Sequence, residues 1–194
     1  MINYLATQKN WQNAFSDTIT SFAELAQALD LPIDSFDSQV GQFPLKVPRR
    51  FVQKMGKGDI HDPLLKQVLP TFQETVQVTG FVTDPLDEQH ANPVKGIIHK
   101  YASRVLIPVT GACVVNCRYC FRQHFDYHEN LPTQNDWQAI SAYITAHPAV
   151  NEVILSGGDP LSLSNRRLLE IFTTLEALPQ VQTIRIHTRV PVMI

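Results

Sequence analysis

Long apolar runs are missing from this 194-residue sequence. No window approaches the roughly 18 consecutive apolar residues of a membrane-spanning helix. The opening segment, MINYLATQKNWQNAF, also lacks a basic stretch followed by an apolar one, the mark of a secretory signal. The chain therefore reads as cytoplasmic, with no membrane partner. An excess of charge of one sign is lacking too: Lys and Arg number 16 against 18 Asp and Glu, for a formal net charge of −2 and no long basic run. Nucleic acid is thus not an expected partner. There is no internal repeat, and an apolar fraction of 44% excludes a disordered chain. Cysteine is scarce but concentrated. All three, Cys113, Cys117 and Cys120, fall within eight residues, an odd and tight set that cannot be a disulfide framework and in a cytosolic chain points to metal or redox chemistry.

Two regions differ in rhythm. Up to residue 96 short helical patterns alternate with proline breaks. Ser21 and Glu24 have capping-box spacing, and Phe22, Leu25, Ala26 and Leu29 follow at helical intervals before Pro32. Pro48 suits the first turn of a helix through Phe51, Val52 and Met55, ended by Gly56 or Gly58. A further short helix is expected over Leu64, Leu65, Val68 and Leu69. The stretch GFVTDPLDEQHANPVKG reads as an extended packing arm.

From residue 97 the pattern is α/β. Residues 104–110 (RVLIPVT) and 150–156 (VNEVILS) are apolar, β-rich runs suited to buried strands, and residues 183–189 (TIRIHTR) make a third strand. Helices are expected over 137–146, capped by Thr133 or Asn135, and over 166–178, capped by Ser164 or Asn165. Strands separated by helices of this length mean βαβ units and a parallel sheet, either in a barrel or in an open doubly wound fold. Because the sequence stops at VPVMI directly after the third strand, residues 183–194 are expected to leave a bare apolar edge. That implies the N-terminal portion of a longer protein.

The cysteine loop, GACVVNCRYCFRQHF, spaces its thiols as C-x3-C-x2-C. Three thiolates on one loop can bind three irons of a [4Fe–4S] cube and leave the fourth open to another ligand. This spacing resembles the radical SAM superfamily, in which S-adenosylmethionine occupies that iron. Tyr119 stands at the family position that packs near the adenine. The alternative from the residues alone is a zinc site completed by His124 as Cys3His, a binding module rather than an enzyme.

At the end of the second expected strand comes Ser156-Gly157-Gly158-Asp159-Pro160. Two glycines there permit close backbone approach to a ligand, and Asp159 offers an anion for an ammonium group. After such a cysteine loop it matches the GGE-type motif that holds the methionine amino group in radical SAM barrels, which assigns Ser156, Gly157, Gly158 and Asp159 to S-adenosylmethionine. Arg185, His187 and Arg189 alternate along the third strand and so would share one face.

Longer blocks narrow the resemblance. HKYASRVLIPVTGACVVNCRYCFRQHF, ILSGGDPLSLSN and IRIHTRVPV are similar to blocks of lysine 2,3-aminomutases, and FPLKVPRRFVQKMGKGDIHDPLLKQVLP and GFVTDPLDEQ resemble the variant that makes β-lysine for elongation factor P. The resemblance implies a helical N-terminal extension over 1–96 followed, over 97–194, by the first three strands of a partial (βα)6 radical SAM barrel of TIM-like form. It implies conversion of L-lysine to β-lysine with a [4Fe–4S] cluster on Cys113, Cys117 and Cys120, S-adenosylmethionine and pyridoxal phosphate. An electron donor such as flavodoxin or ferredoxin is implied as a partner, and elongation factor P indirectly. Arg122 matches the arginine that binds the substrate carboxylate, for which a planar bidentate donor is apt. Tyr101 and Arg104 match positions near the pyridoxal phosphate, with Lys100 where the family has arginine. The lysine that attaches that cofactor, and the acidic residues that recognise the substrate side chain, are expected beyond Ile194. A radical SAM aminomutase of another amino acid, or a radical SAM enzyme without pyridoxal phosphate, fits the same motifs.

Overall fold

The computed structural model describes residues 16–37 and 43–193. The segment MINYLATQKNWQNAF and Ile194 lie outside them. The chain divides into two compact units, one formed by Met1–Phe81, Val114–Gln123 and Val190–Ile194, the other by Val82–Cys113 and His124–Arg189.

In the first unit, β1 (Thr18–Ile19) pairs antiparallel with β2 (Val47–Pro48). Helix α1 (Phe22–Leu29) forms where its periodicity predicts and buries Leu25, Ala26 and Leu29. The capping box does not form. The Ser21 side chain makes no cap bond, and the Glu24 carboxylate, which would reach back to the Ser21 N–H, pairs with Arg49 instead. Helix α2 (Arg49–Val52) is one turn long, with Pro48 just outside it, and stops well short of Met55. Residues 64–69 give only a 3-10 turn over Leu65–Gln67, where the Asp62 carboxylate accepts the Leu64 and Leu65 N–H groups. Of residues 183–194, expected as a bare apolar edge, β6 (Thr183–Ile186) is the outermost strand of its sheet and Val192 is exposed. Val190–Met193 closes into a helical turn, α6, whose Val190 and Met193 are buried.

The second unit is a mixed α/β sheet in the order β3-β4-β5-β6. Strands β4 (Arg104–Thr110), β5 (Glu152–Gly157) and β6 (Thr183–Ile186) are parallel, as the β-rich runs and intervening helices predict. Strand β3 (Ile98–Tyr101), which the sequence did not suggest, hairpins back onto β4 with Tyr101 opposite Arg104. That ladder reaches only to Leu106, so Pro108, with no N–H to give, sits where only β5 pairs with β4. After β4 come α3 (Tyr127–Asn130) and α4 (Asp136–Ala146); α5 (Asn165–Glu176) links β5 to β6. Thr133 reaches the Asp136 carboxylate through both its N–H and its hydroxyl, and Ser164 caps α5 by accepting the Arg167 N–H.

Alternation sets the core. Val105 and Ile107 of β4 and Val153 and Leu155 of β5 pack with Trp137, Ile140 and Ile144 of α4 and Ile171 and Leu175 of α5. Full burial of each such aliphatic side chain stabilises by roughly 2 kcal/mol. Strand β6 falls short of its expected length. Of Arg185, His187 and Arg189 only Arg185 lies within it, and its guanidinium donates to Glu152 of β5 at 2.8 Å. The expected run of three polar residues on one strand face is therefore corrected, and the exposed positions of β6 are Thr183 and Arg185 rather than apolar residues. Residues 80–96, expected as an extended arm, instead pass through successive turns and a 3-10 turn at Gln89–Ala91. No helix among the described residues is long and apolar enough to cross a membrane.

Candidate functional site

Parallel strands deliver their C-terminal ends to the same edge of a sheet, and β4 and β5 do so side by side. Strand β4 ends at Thr110, whose hydroxyl accepts the Ala112 N–H at 3.0 Å and turns the chain towards Cys113. Strand β5 ends at Gly157. Between them the register slips, Pro108 facing Ser156 while Thr110 faces Gly157. The glycine turn then docks on residues 110–112. Gly158 N–H donates to Thr110 O at 2.6 Å and Asp159 N–H donates to Ala112 O at 2.8 Å. Neither glycine has room for a side chain. Gly157 has φ +118° and its Cβ would stand 2.4 Å from Thr110 O, while a Cβ on Gly158 would stand 2.2 Å from Ala112 O.

Asp159 is only 1% exposed. Its carboxylate accepts the Leu161 N–H at 3.0 Å, the Thr188 hydroxyl at 2.7 Å and the Arg189 N–H at 2.7 Å. This acid thus ties the glycine turn to the chain leaving β6. The same ties explain why β6 ends early: residues 188 and 189 are pulled out of strand geometry to meet Asp159. Ser156, beside it, is buried.

Within Val114–Gln123 the loop is anchored by its backbone. Asn116 N–H donates to Lys46 O at 2.9 Å, Arg118 N–H to Gln67 O at 2.8 Å and Cys120 N–H to Cys117 O at 3.0 Å. Val114, Val115 and Cys117 are buried, while Tyr119 and Phe121 are exposed. Arg122 is buried, with its guanidinium 4.8 Å from the Phe121 ring centre. A buried arginine is not the ordinary surface residue that its charge alone would suggest.

Arg118 is a buried arginine of the cysteine loop that sequence reasoning passed over. Its side chain is 8% exposed, donates to Glu74 and to Phe43 O, and lies over the Phe43 ring. The signal was a lone arginine between two cysteines. Its partner, 44 positions away, carried none.

None of the three cysteines is in a disulfide. Among the described residues no three His, Cys, Asp or Glu side chains are gathered as a ligand set for a metal ion, and His124 is exposed. Burial pushes the Cys120 thiol up, and the neighbouring Cys117 adds to this. The Arg122 N–H and the Arg122 and Arg118 guanidinium groups pull it back. The donor set itself, three thiols at C-x3-C-x2-C spacing, fits a [4Fe–4S] cluster. In the same loop Arg118 Nη1 is buried with no hydrogen-bond partner.

Tyr101 and Arg104 are not brought to this end of the sheet. They face each other at the start of β4, both exposed, with the guanidinium 5.6 Å from the ring centre. The length of β4 separates them from Thr110, about 20 Å at the usual rise of a strand.

The Radical SAM superfamily model matches residues 107–193. The chain is 45% identical over 190 residues to an L-lysine 2,3-aminomutase of Haemophilus influenzae, covering 96% of this chain and 56% of the relative. It is 43% identical over 192 residues to the Escherichia coli protein of that name, covering 97% and 56%. The protein of that name from Clostridium subterminale is 30% identical over 194 residues, covering 97% and 46%. The chain thus spans a little over half the length of the first two of these relatives. The resemblance carried by the cysteine loop, the glycine turn and the blocks around them extends along nearly the whole sequence: the chain carries a radical SAM domain over residues 107–193 and is similar over nearly all its length to part of the L-lysine 2,3-aminomutases.

Proposed function

We propose that the chain is the cluster-bearing part of a lysine 2,3-aminomutase that converts L-lysine to β-lysine, with elongation factor P as the eventual recipient of the product. The observation that carries this reading is the 45% identity to an L-lysine 2,3-aminomutase over a stretch that includes the whole cysteine loop and glycine turn. In this reading residues 97–194 begin a (βα)6 barrel with β4, β5 and β6 as its first strands, and residues 1–96 form an N-terminal extension. Loops at the C-terminal ends of barrel strands carry the chemistry, which is where Cys113 and the Gly157-Gly158 turn stand.

Cys113, Cys117 and Cys120 would hold a [4Fe–4S] cluster. Tyr119 and the turn from Ser156 to Asp159 would seat S-adenosylmethionine, the backbone of the turn lying close because both glycines lack a side chain. When bound, the cluster and S-adenosylmethionine supply a carbon radical, and pyridoxal phosphate supplies a π system that delocalises an unpaired electron. Asp159 fixes the turn that meets the methionine end. Arg122, buried and planar, would grip the substrate carboxylate with two parallel hydrogen bonds and so set the amino acid's orientation. The assignment of Tyr101 and Arg104 to pyridoxal phosphate rests on the resemblance alone. A small electron carrier such as flavodoxin or ferredoxin would reduce the cluster.

Anaerobic reconstitution with iron and sulfide tests the reading. About four irons per chain are expected, with 5′-deoxyadenosine formed on adding S-adenosylmethionine and a reductant. Uptake of one zinc and no sulfide would overturn it in favour of a zinc module. In the full-length protein, pyridoxal phosphate is checked by a borohydride-bleachable absorbance, and the substrate by β-lysine formation from L-lysine compared with glutamate and arginine. For Arg122→Lys, a point charge replaces the fork, and the KM for lysine is expected to rise about tenfold to a hundredfold with a smaller change in kcat. An unchanged KM removes Arg122 from the substrate site.

A further inference from the structure

The Asp159 carboxylate stands where the sequence offers an anion to an ammonium group, but donors of its own unit already occupy it. An ionised carboxylate has about four acceptor positions. Oδ1 accepts the Leu161 N–H at 3.0 Å and the Thr188 hydroxyl at 2.7 Å, and Oδ2 accepts the Arg189 N–H at 2.7 Å. The residue is 1% exposed, so a ligand group taking one of these positions would strand a donor in a place closed to water. Stranding a buried donor is costly.

The strand before Thr188 brings it to this contact. Strand β6 ends at Ile186, and the next N–H, of His187, still donates to Leu155 O of β5 at 2.9 Å. The chain therefore leaves β6 alongside β5, and Thr188 and Arg189 meet the residue that follows the two glycines. Of the three donors on the Asp159 carboxylate, two are main-chain N–H groups that a change of side chain leaves in place. The third is the Thr188 hydroxyl, at the short distance of a charge-assisted bond. Through its main chain Asp159 is tied the other way: its N–H donates to Ala112 O, and its carbonyl accepts the Ser162 hydroxyl at 2.6 Å. A shift at residues 188–189 is thus passed to the glycine turn.

We propose that Thr188 is a positioning residue for S-adenosylmethionine: its hydroxyl holds the Asp159 carboxylate, which braces the glycine turn behind the methionine end instead of pairing with the methionine ammonium. This inference rests on the assignment of the turn to S-adenosylmethionine given above. Groups that bind a ligand must be kept within about 0.5 Å of their place by the residues behind them, and without Thr188 the brace is slack.

Thr188→Val removes the hydroxyl and keeps the branched shape, and Oδ1 still accepts the Leu161 N–H. In the full-length, reconstituted protein, equilibrium dialysis is expected to show S-adenosylmethionine bound about tenfold more weakly. Binding of 5′-methylthioadenosine, which keeps the adenosine and lacks the methionine end, is expected to match the wild type, as is the iron content. Thr188→Ser, which retains the hydroxyl, is expected to restore the affinity. Thr188→Ala reads the same loss should the valine variant not fold. Unchanged or tighter S-adenosylmethionine binding without the hydroxyl overturns the proposal; tighter binding is what competition between the hydroxyl and the ammonium for Asp159 would give. Equal weakening of both ligands overturns it as well, since that is a general structural effect. Each of these results leaves the assignment of the turn standing, whereas a wild-type protein that binds no S-adenosylmethionine overturns both.

Discussion

Alanine at Cys117 is expected to leave the protein unable to cleave S-adenosylmethionine. Cys117 is 7% exposed, and it also supplies the carbonyl that accepts the Cys120 N–H. That bond belongs to the backbone and survives the substitution, as do the anchors of Asn116 on Lys46 and of Arg118 on Gln67. Removing one buried sulfur should cost the fold only about 1 kcal/mol, so the loop persists with one thiol fewer. A cube held by two thiolates in place of three has a second iron open to solvent and to chelators. Iron and sulfide are therefore expected to fall far below the wild-type content after identical reconstitution, and 5′-deoxyadenosine to become undetectable, while urea unfolding of the apoprotein changes little. Wild-type 5′-deoxyadenosine production by this variant would remove Cys117 from the ligand set.

Strands β4 and β5 were legible because each is a run of β-branched and aliphatic residues, which a strand flanked by helices requires. Strand β3 was not. IHKY reads as polar, and the link of Ala102 and Ser103 has none of the glycine or asparagine that marks a tight hairpin. Strand β6 was read too long for the opposite reason: HTR continues a strand-like alternation, and only the fold brings Asp159 to where it captures Thr188 and Arg189. Ser21 and Glu24 show the same limit, since a capping box is a local proposal and Arg49, 25 residues away, outbids it for the carboxylate.

At the site the types of residue were visible and their tasks less so. Cysteine spacing is a statement about chemistry that survives without a structure. Asp159 was read as a partner for an ammonium group, and its carboxylate accepts three donors from its own unit. Arg118 was not singled out at all, because an arginine's environment depends on what covers it, here Glu74 and Phe43. The glycines were read as places where the backbone comes close to a ligand, and the close approach that the structure shows is of backbone to backbone, at residues 110–112.

That close approach gives Gly158→Ala a large expected effect, and Gly58→Ala supplies its control. Gly58 has φ +70° and open space around its missing Cβ, so alanine there costs only the backbone strain, about 1–2 kcal/mol. At Gly158 the added carbon would stand 2.2 Å from Ala112 O and 2.6 Å from the Ala112 carbonyl carbon, and the Gly111 carbonyl carbon is at 2.8 Å. These are main-chain atoms and cannot rotate away. The turn must therefore lift off residues 110–112, which breaks the Gly158 N–H bond to Thr110 O and the Asp159 N–H bond to Ala112 O. Two buried bonds lost, with their donors unsatisfied, amount to about 3 kcal/mol or more. Asp159 would shift with the turn, loosening its hold on Thr188 and Arg189 as well. S-adenosylmethionine binding, measured by equilibrium dialysis on the reconstituted protein, is expected to weaken at least a hundredfold for Gly158→Ala and to stay near wild type for Gly58→Ala. The cysteines are untouched in both variants, so iron content should remain measurable and separates loss of the turn from loss of the cluster. Wild-type affinity in a stably folded Gly158→Ala protein would mean that the turn from Ser156 to Asp159 does not hold the methionine end of the cofactor.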